Sequence, residues 1–319
     1  MSNLVLLTNA IHPRALARLE EEATARIAPA TDEVTLCREV EAADALLVRA
    51  PIAPAVLQAG RRLQVIARHG VGLDFIPVAE ATARRIPVTY TPDANTESVA
   101  EHVVGAMLAL AHHFPQGDKA VRAGDWERRH QLIGVDLKGR TVGIVGLGRI
   151  GSRVGEICRV AFGMRVLAYD PGLSPEAIRT CGAEPVDLRR LLAEAEFITV
   201  HCPLIDKTRS LIDGEAFTQM RRGTYFINAA RGPIVDGAAL AEALASGQVR
   251  AAMLDVFSKE PPDPLDPLLH LEQVLLTPHS AAHTEEALMR MGLDAVEDIL
   301  RVLQGERPRY CANPLIYQE

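Results

Sequence analysis

Residues 141–160 read TVGIVGLGRIGSRVGEICRV. An apolar run leads into Gly146, Gly148 and Gly151, and a helical pattern follows. Glycines at this spacing let the chain turn tightly after a strand, let backbone amides approach a pyrophosphate, and let the next helix pack closely on the strand. Alone, such a match is weak. Here the following apolar run, MRVLAYD, ends at Asp170, 19 residues after Gly151, where a carboxylate can bind the hydroxyls of an adenosine ribose. The reading is a dinucleotide-binding turn between two parallel strands. The same carboxylate repels a 2′-phosphate, and the PGLSPEAI that follows brings no immediate arginine to receive one, so NAD is expected rather than NADP.

Outward from this turn the chain alternates short apolar strands with helical stretches. Upstream, NLVLLT, ADALLVRA, LQVIARHG and IPVTY read as strands, which gives an α/β layering around a parallel sheet. From Asn95 to Phe114 a long, mostly apolar helix is expected, with Ser98 and Glu101 at capping-box spacing near its start. A matching helix is expected from Thr284 to Gly305, with Glu285 and Glu286 in its first turn and Arg301 near its end. These two helices are read as the crossings between two domains. No internal repeat or low-complexity tract interrupts the pattern.

Downstream come four strand-like runs, FITVHCPL, FINAARGPIVD, AAMLDVFSKEPP and VLLTPHSAAHT, each ending in polar residues. In a doubly wound sheet ligands gather outside the carboxyl ends of the strands, so Arg231, Asp255, Glu260 and His279 are expected to converge on one crevice. Each has a plainer reading alone: Arg231 as a surface charge, Glu260 as a solvated loop residue, His279 as part of a turn. Small neighbours and a Gly-Pro turn leave room for an anion at Arg231, whose planar fork suits a carboxylate.

Composition bounds the function. The 319 residues, 48% hydrophobic, suit two domains with sizeable cores. A formal charge of −7 and a pI near 5.8, with no basic run, argue against nucleic acid as a partner. MSNLVLLTNA lacks a basic leader and no stretch reaches membrane-spanning length, so a cytoplasmic location is expected, with no membrane partner. Five cysteines lack C-x-x-C spacing and read as reduced thiols. His201 and Cys202 are adjacent, but neighbours on a strand face opposite ways, which argues against a thiol nucleophile. His279 and His283 have i, i+4 spacing without a third ligand nearby, and no metal is expected.

Taken together, GLGRIG, Asp170, HCPL, NAARG, LDVF with Glu260, and TPH resemble the D-2-hydroxyacid dehydrogenase family, in the family's order and over nearly the whole chain. RHGVGLD at 68–74 resembles its substrate-carboxylate loop, and NTESVAEH its first interdomain helix. The resemblance implies two Rossmann-like parallel-sheet domains: a flavodoxin-like substrate domain from residues 1–97 and 285–319, and an NAD domain from 98–284 inserted between. It implies a homodimer, a small 2-oxo or 2-hydroxy acid as substrate, Arg231 as the binder of substrate carboxylate and carbonyl, His279 as acid or base, and Glu260 as the partner that orients His279. It places the substrate near Arg49, Val71, Gly72 and Asn95. It assigns nucleotide contacts to Gly146, Gly148, Arg149, Ile150, Gly151, Asp170, His201, Cys202, Pro203, Ala229, Ala230, Asp255 and Ala281, with Asp255 at the nicotinamide carboxamide.

The chain departs from the family pattern in places. Phe75 stands where asparagine is common, Pro77 where an acidic residue is frequent, and Ala50 replaces a serine often found beside the arginine matched by Arg49. The sequence ends at Glu319 without the serine-sensing extension of some phosphoglycerate dehydrogenases. Hydroxypyruvate, glyoxylate and 3-phosphohydroxypyruvate all fit. A formate enzyme would be expected to carry glutamine in place of Glu260. A phosphite dehydrogenase, an NAD(H)-sensing corepressor and an S-adenosylhomocysteine hydrolase-like enzyme are the other readings, the last requiring a longer chain.

Overall fold

A computed structural model describes residues 3–318. The chain divides into two compact units, Met1–Asn95 with His283–Glu319, and Thr96–Ala282.

In the first unit five strands, β1 (Leu4–Leu7), β2 (Thr24–Ile27), β3 (Ala45–Val48), β4 (Val65–Arg68) and β5 (Val88–Thr89), form a parallel sheet in the order β2-β1-β3-β4-β5. This is the flavodoxin-like order, whose switch point lies between β1 and β3. Successive residues face opposite sides of the sheet, so Leu6, Leu46, Val48, Ile66 and Val88 enter one core and Val5, Leu7, Ala45, Leu47, Val65 and Ala67 the other. The helix Glu285–Leu303 seals the second core with Ala295, Val296, Ile299 and Leu300. It starts as its sequence dictates: the Thr284 side chain accepts from Ala287 N–H, acidic residues fill the first turn, and Gly305 takes a positive φ just beyond the end.

In the second unit seven parallel strands follow in chain order: β6 (Thr141–Val145), β7 (Arg165–Tyr169), β8 (Glu184–Pro185), β9 (Phe197–Val200), β10 (Thr224–Asn228), β11 (Val249–Leu254) and β12 (Val274–Leu276). Their spatial order, β12-β11-β10-β9-β6-β7-β8, is the Rossmann order with one strand added, and it reverses between β6 and β9. Ile144, Phe197, Tyr225 and Ile227 pack beneath the helices Thr96–Ala111 and Arg149–Phe162 on one face. Val145, Ile198, Val200 and Phe226 fill the other.

Two sequence expectations need correction. The helix expected to run from Asn95 to Phe114 stops at Ala111, because His113 takes a left-handed conformation and a new helix, Phe114–Arg122, begins with Pro115 in its first turn. Ser98 lies inside the first turn, buried, rather than at the cap.

Candidate active site

The strand β6 delivers the chain to Gly146 at φ +94°, a conformation that side chains rarely adopt. A Cβ there would lie 2.5 Å from Cys202 N, because β9 runs beside β6 and its outgoing loop passes against the turn. Gly151 packs against the Gly146 carbonyl, whereas Gly148, which caps the helix Arg149–Phe162, faces open space. The result is a helix N-terminus with Arg149 and Ile150 in its first turn and room in front of it, where amides and the helix dipole favour a pyrophosphate. At the end of β7 the Asp170 carboxylate accepts from Leu147 N–H at 2.9 Å and from Gly172 N–H at 2.9 Å. It is thus fixed at the rim of the glycine turn, with lone pairs remaining for ribose hydroxyls. These residues fit a dinucleotide.

His201, Cys202 and Pro203 follow β9 at the same reversal of strand order. His201 Nε2 lies 2.9 Å from Thr199 Oγ1, and burial pushes the ring down to about 4. Burial pushes the Cys202 thiol up to about 11, which keeps it protonated at neutral pH.

Arg231 follows β10. The Asn228 side chain accepts from Ala230 N–H at 3.0 Å and donates to Arg231 O at 3.0 Å, which fixes the main chain through Ala229 and Ala230. A Cβ on Gly232 would lie 2.0 Å from the Phe257 carbonyl carbon, so only glycine lets this segment meet the loop after β11. That loop carries Glu260. Its Oε1 accepts from Phe257 N–H at 3.1 Å, and its Oε2 lies 2.7 Å from His279 Nδ1. Burial works to raise the Glu260 carboxyl, but bonds from His279 and Phe257 and the charges of His279 and Arg231 outweigh it, leaving it below the ordinary carboxylate range. Arg231, Glu260 and His279 therefore meet at the carboxyl ends of β10, β11 and β12.

His279 itself has φ +51°, an unfavourable conformation for a residue with a Cβ. Asp255, only 1% exposed, over-determines it. The Asp255 carbonyl accepts from His279 N–H at 2.8 Å, and its carboxylate accepts from Thr277 Oγ1 at 2.6 Å, Ser280 N–H at 2.8 Å and Ala281 N–H at 3.0 Å. Asp255 and Ala281 thus anchor the loop bearing His279; their placement as nucleotide contacts rests on the resemblance. Thr277, the first residue of the TPH motif, to which the sequence reading gave no role of its own, is part of this anchor. No cluster of metal-ligating side chains occurs among the described residues.

In the first unit, Val71 and Gly72 lie in the loop after β4. Among the described residues, the N–H groups of Val71, Gly72 and Leu73 donate to no backbone carbonyl. Asn95 is 9% exposed, and its Oδ1 has no partner among the described residues. Arg49 donates to the Ala10 carbonyl, and its backbone N–H to Thr8 Oγ1 at 2.8 Å. His69 is 5% exposed; burial, aided by the charge of Arg49, pushes its ring down to about 3.

His69 leads to a stability prediction. The unfolded chain takes up a proton near the ordinary histidine pKa while the folded ring stays neutral, so stability is lost as pH falls below about 6.5. Between pH 7 and pH 4.5 this one residue costs about 3 kcal/mol. In urea titrations at both pH values, His69→Gln should show a correspondingly smaller acid loss than the parent. Equal losses would mean that the ring is charged, or solvated, in the folded state.

A family model described as D-isomer specific 2-hydroxyacid dehydrogenase, NAD binding domain, matches residues 104–281. Over 280 residues the chain is 45% identical to a D-3-phosphoglycerate dehydrogenase of Archaeoglobus fulgidus, covering 87% of this chain and 53% of that protein. The chain spans little more than half the length of that relative. It is 38% identical to a glyoxylate reductase of Korarchaeum cryptofilum, covering 98% of this chain and 96% of the relative. Among solved structures, the NADPH-dependent glyoxylate/hydroxypyruvate reductase of Sinorhizobium meliloti, in complex with NADP and malonate, superposes with a TM-score of 0.86 at 28% identity, covering 98% of this chain and 97% of that one.

Proposed function

The chain belongs to the D-isomer specific 2-hydroxyacid dehydrogenases, and from that premise we propose that it interconverts a short 2-oxo acid and its 2-hydroxy acid with NAD(H). The second unit is the NAD domain and the first the substrate domain. The carrying observation is the 2.7 Å contact of His279 Nδ1 with Glu260 Oε2, on a carboxylate that also feels the charge of Arg231.

Bound nicotinamide supplies the hydride chemistry. The protein's own part is to hold, polarise and protonate the substrate. The Arg231 guanidinium binds the substrate carboxylate and draws electron density toward the carbonyl oxygen. With Nδ1 held by Glu260, His279 Nε2 is the nitrogen that hands a proton to that oxygen in reduction and takes it back in oxidation. Glu260 fixes the ring through its contact with Nδ1. On the first unit, the amides of Val71 and Gly72, with Asn95 and Arg49, are the proposed contacts to substrate. Exposed Phe114, Val121, Trp126 and Ile133 support a homodimer. No described helix is long and apolar enough to cross a membrane, and a cytoplasmic location completes the proposal.

The test is a panel of glyoxylate, hydroxypyruvate, pyruvate, phenylpyruvate and 3-phosphohydroxypyruvate with NADH, and phosphite with NAD. Reduction of at least one 2-oxo acid is expected. Phosphite turnover alone would replace the proposal with the phosphite reading, and NADH binding without turnover on any member would favour a sensor. Because Asp170 is held where a 2′-phosphate would meet its charge, NADH should exceed NADPH in kcat/KM by about tenfold or more, and Asp170→Ala should narrow the gap. Equal kcat/KM with both cofactors in the parent would remove Asp170 from the argument.

A further inference from the structure

We propose that Arg68 is a positioning residue that sets the shape of the carboxylate-binding loop, and that Phe75 holds Arg68 in place. The proposal rests on the reading that the Val71 and Gly72 amides receive the substrate carboxylate.

Arg68 ends β4 and immediately precedes that loop. Its guanidinium folds back over the loop instead of extending away. Nε donates to Gly72 O at 2.9 Å, and Nη1 to His69 O at 2.9 Å and Val48 O at 3.1 Å. The flat face of the guanidinium lies over the Phe75 ring, 4.4 Å from its centroid. A Cβ on Gly70 would sit 3.5 Å from Arg68 Cζ, so the cation also lies close under the loop backbone.

Peptide planarity converts these bonds into directions. In a trans peptide the C=O and the following N–H point opposite ways. Holding Gly72 O on Arg68 turns the Leu73 N–H away from the guanidinium. Gly70 O accepts from Thr91 N–H at 3.0 Å, which turns the Val71 N–H away from Thr91. With Gly70 O and Gly72 O held, the Val71 and Leu73 amides on either side of Gly72, which donate to no backbone carbonyl, are left for an anion, and the half-buried edge of a cation adds to their potential. A lysine cannot reproduce this, because one ammonium cannot reach three carbonyls in a plane while stacking flat on a ring. Phe75, the departure from the asparagine common at this place, thereby acquires a purpose: it is the platform that makes the Arg68 fork rigid.

The experiment compares the parent with Arg68→Met, Arg68→Lys and Phe75→Leu. It measures steady-state kinetics with the best 2-oxo acid of the panel, NADH affinity by fluorescence titration, and hydrogen exchange of peptides spanning residues 69–75. Arg68→Met should raise KM for the 2-oxo acid roughly tenfold or more while kcat falls less than about threefold and NADH affinity stays unchanged. Exchange across the loop should quicken. Arg68→Lys should recover part of the KM, and Phe75→Leu, which keeps the hydrogen bonds but removes the platform, should fall between parent and Arg68→Met. If Arg68→Met does not fold, the Phe75→Leu values decide in its place. Unchanged exchange with an unchanged KM overturns the proposal and leaves the loop reading standing. Faster exchange with KM within about twofold of the parent shows instead that the loop does not receive the carboxylate, and overturns both.

Discussion

Arg231→Ala should lower kcat/KM for every 2-oxo acid the protein reduces by between about 30-fold and a few thousandfold, since removing one partner of a dry charge-assisted pair costs roughly 2 to 5 kcal/mol. NADH affinity should stay near that of the parent. Arg231 has an ordinary extended backbone, φ −145° and ψ 139°, so no main-chain strain holds it in place. It is held by Asn228, whose amide bonds to the backbone on both sides of Ala230, and by the glycine contact that seats the next residue against Phe257 and Ser258. Arg231 Nη1 donates to Ala230 O at 2.7 Å, which fixes one edge of the guanidinium plane. A side chain fixed this way loses little further entropy on binding and aims its fork reproducibly. Truncation to alanine leaves the Asn228 frame intact, so the loss should appear in kcat/KM and not in thermal stability. Arg231→Lys should restore only a minor part, because the bidentate geometry is absent. If Arg231→Ala reduced 2-oxo acids at near the parental kcat/KM, the residue would be only a surface charge.

The parts of this molecule that were legible in the sequence are those with a period or a fixed spacing. Buried strands such as β3, β4 and β9 are continuous apolar runs because both faces are covered, and the glycine turn is marked by where a Cβ cannot fit. The edge strand β2, TARI, was missed for the same reason in reverse: three of its four residues are exposed, so it has no apolar run to show. The break after Ala111 was missed because a left-handed histidine leaves no compositional mark, although Pro115 was a hint. At the candidate site, Arg231, Glu260 and His279 were found because they end strand-like runs. Asp255 was found in the same way, but its part in holding the others was not: the Asp255 carboxylate meets Thr277 and Ser280 from another loop, the Phe257 amide meets Glu260 within one loop, and no spacing rule reports such contacts. Arg68 escaped for a further reason: at a strand end it reads as a solvated charge, and only the direction of its guanidinium reveals three carbonyls on it.

For His279 and Glu260 the two substitutions should differ in kind as well as size. Reduction requires a protonated imidazole, so kcat/KM for a 2-oxo acid should be flat at moderately acidic pH and fall as pH rises through the histidine's titration; oxidation should show the mirror image. His279→Ala should remove that limb and about 10²- to 10⁴-fold of activity, the range expected for a positioned acid or base. Glu260→Gln keeps a hydrogen-bond acceptor near Nδ1 but removes the negative charge. The charge is present in the parent throughout the neutral range, because the Glu260 carboxyl lies below the ordinary carboxylate value, and it would be lost only as pH falls through that depressed value. Without it the charge-assisted contact to Nδ1 weakens, so Glu260→Gln should lower kcat/KM for the 2-oxo acid by about tenfold or more at neutral pH. The measurement is a pH series of kcat/KM with NADH for parent and both variants, after a solvent-viscosity check that product release does not limit the rate. A Glu260→Gln profile that overlays the parent would refute the pairing as a source of charge stabilisation, even with His279 essential, and would leave Glu260 as a residue that merely braces the Phe257 amide.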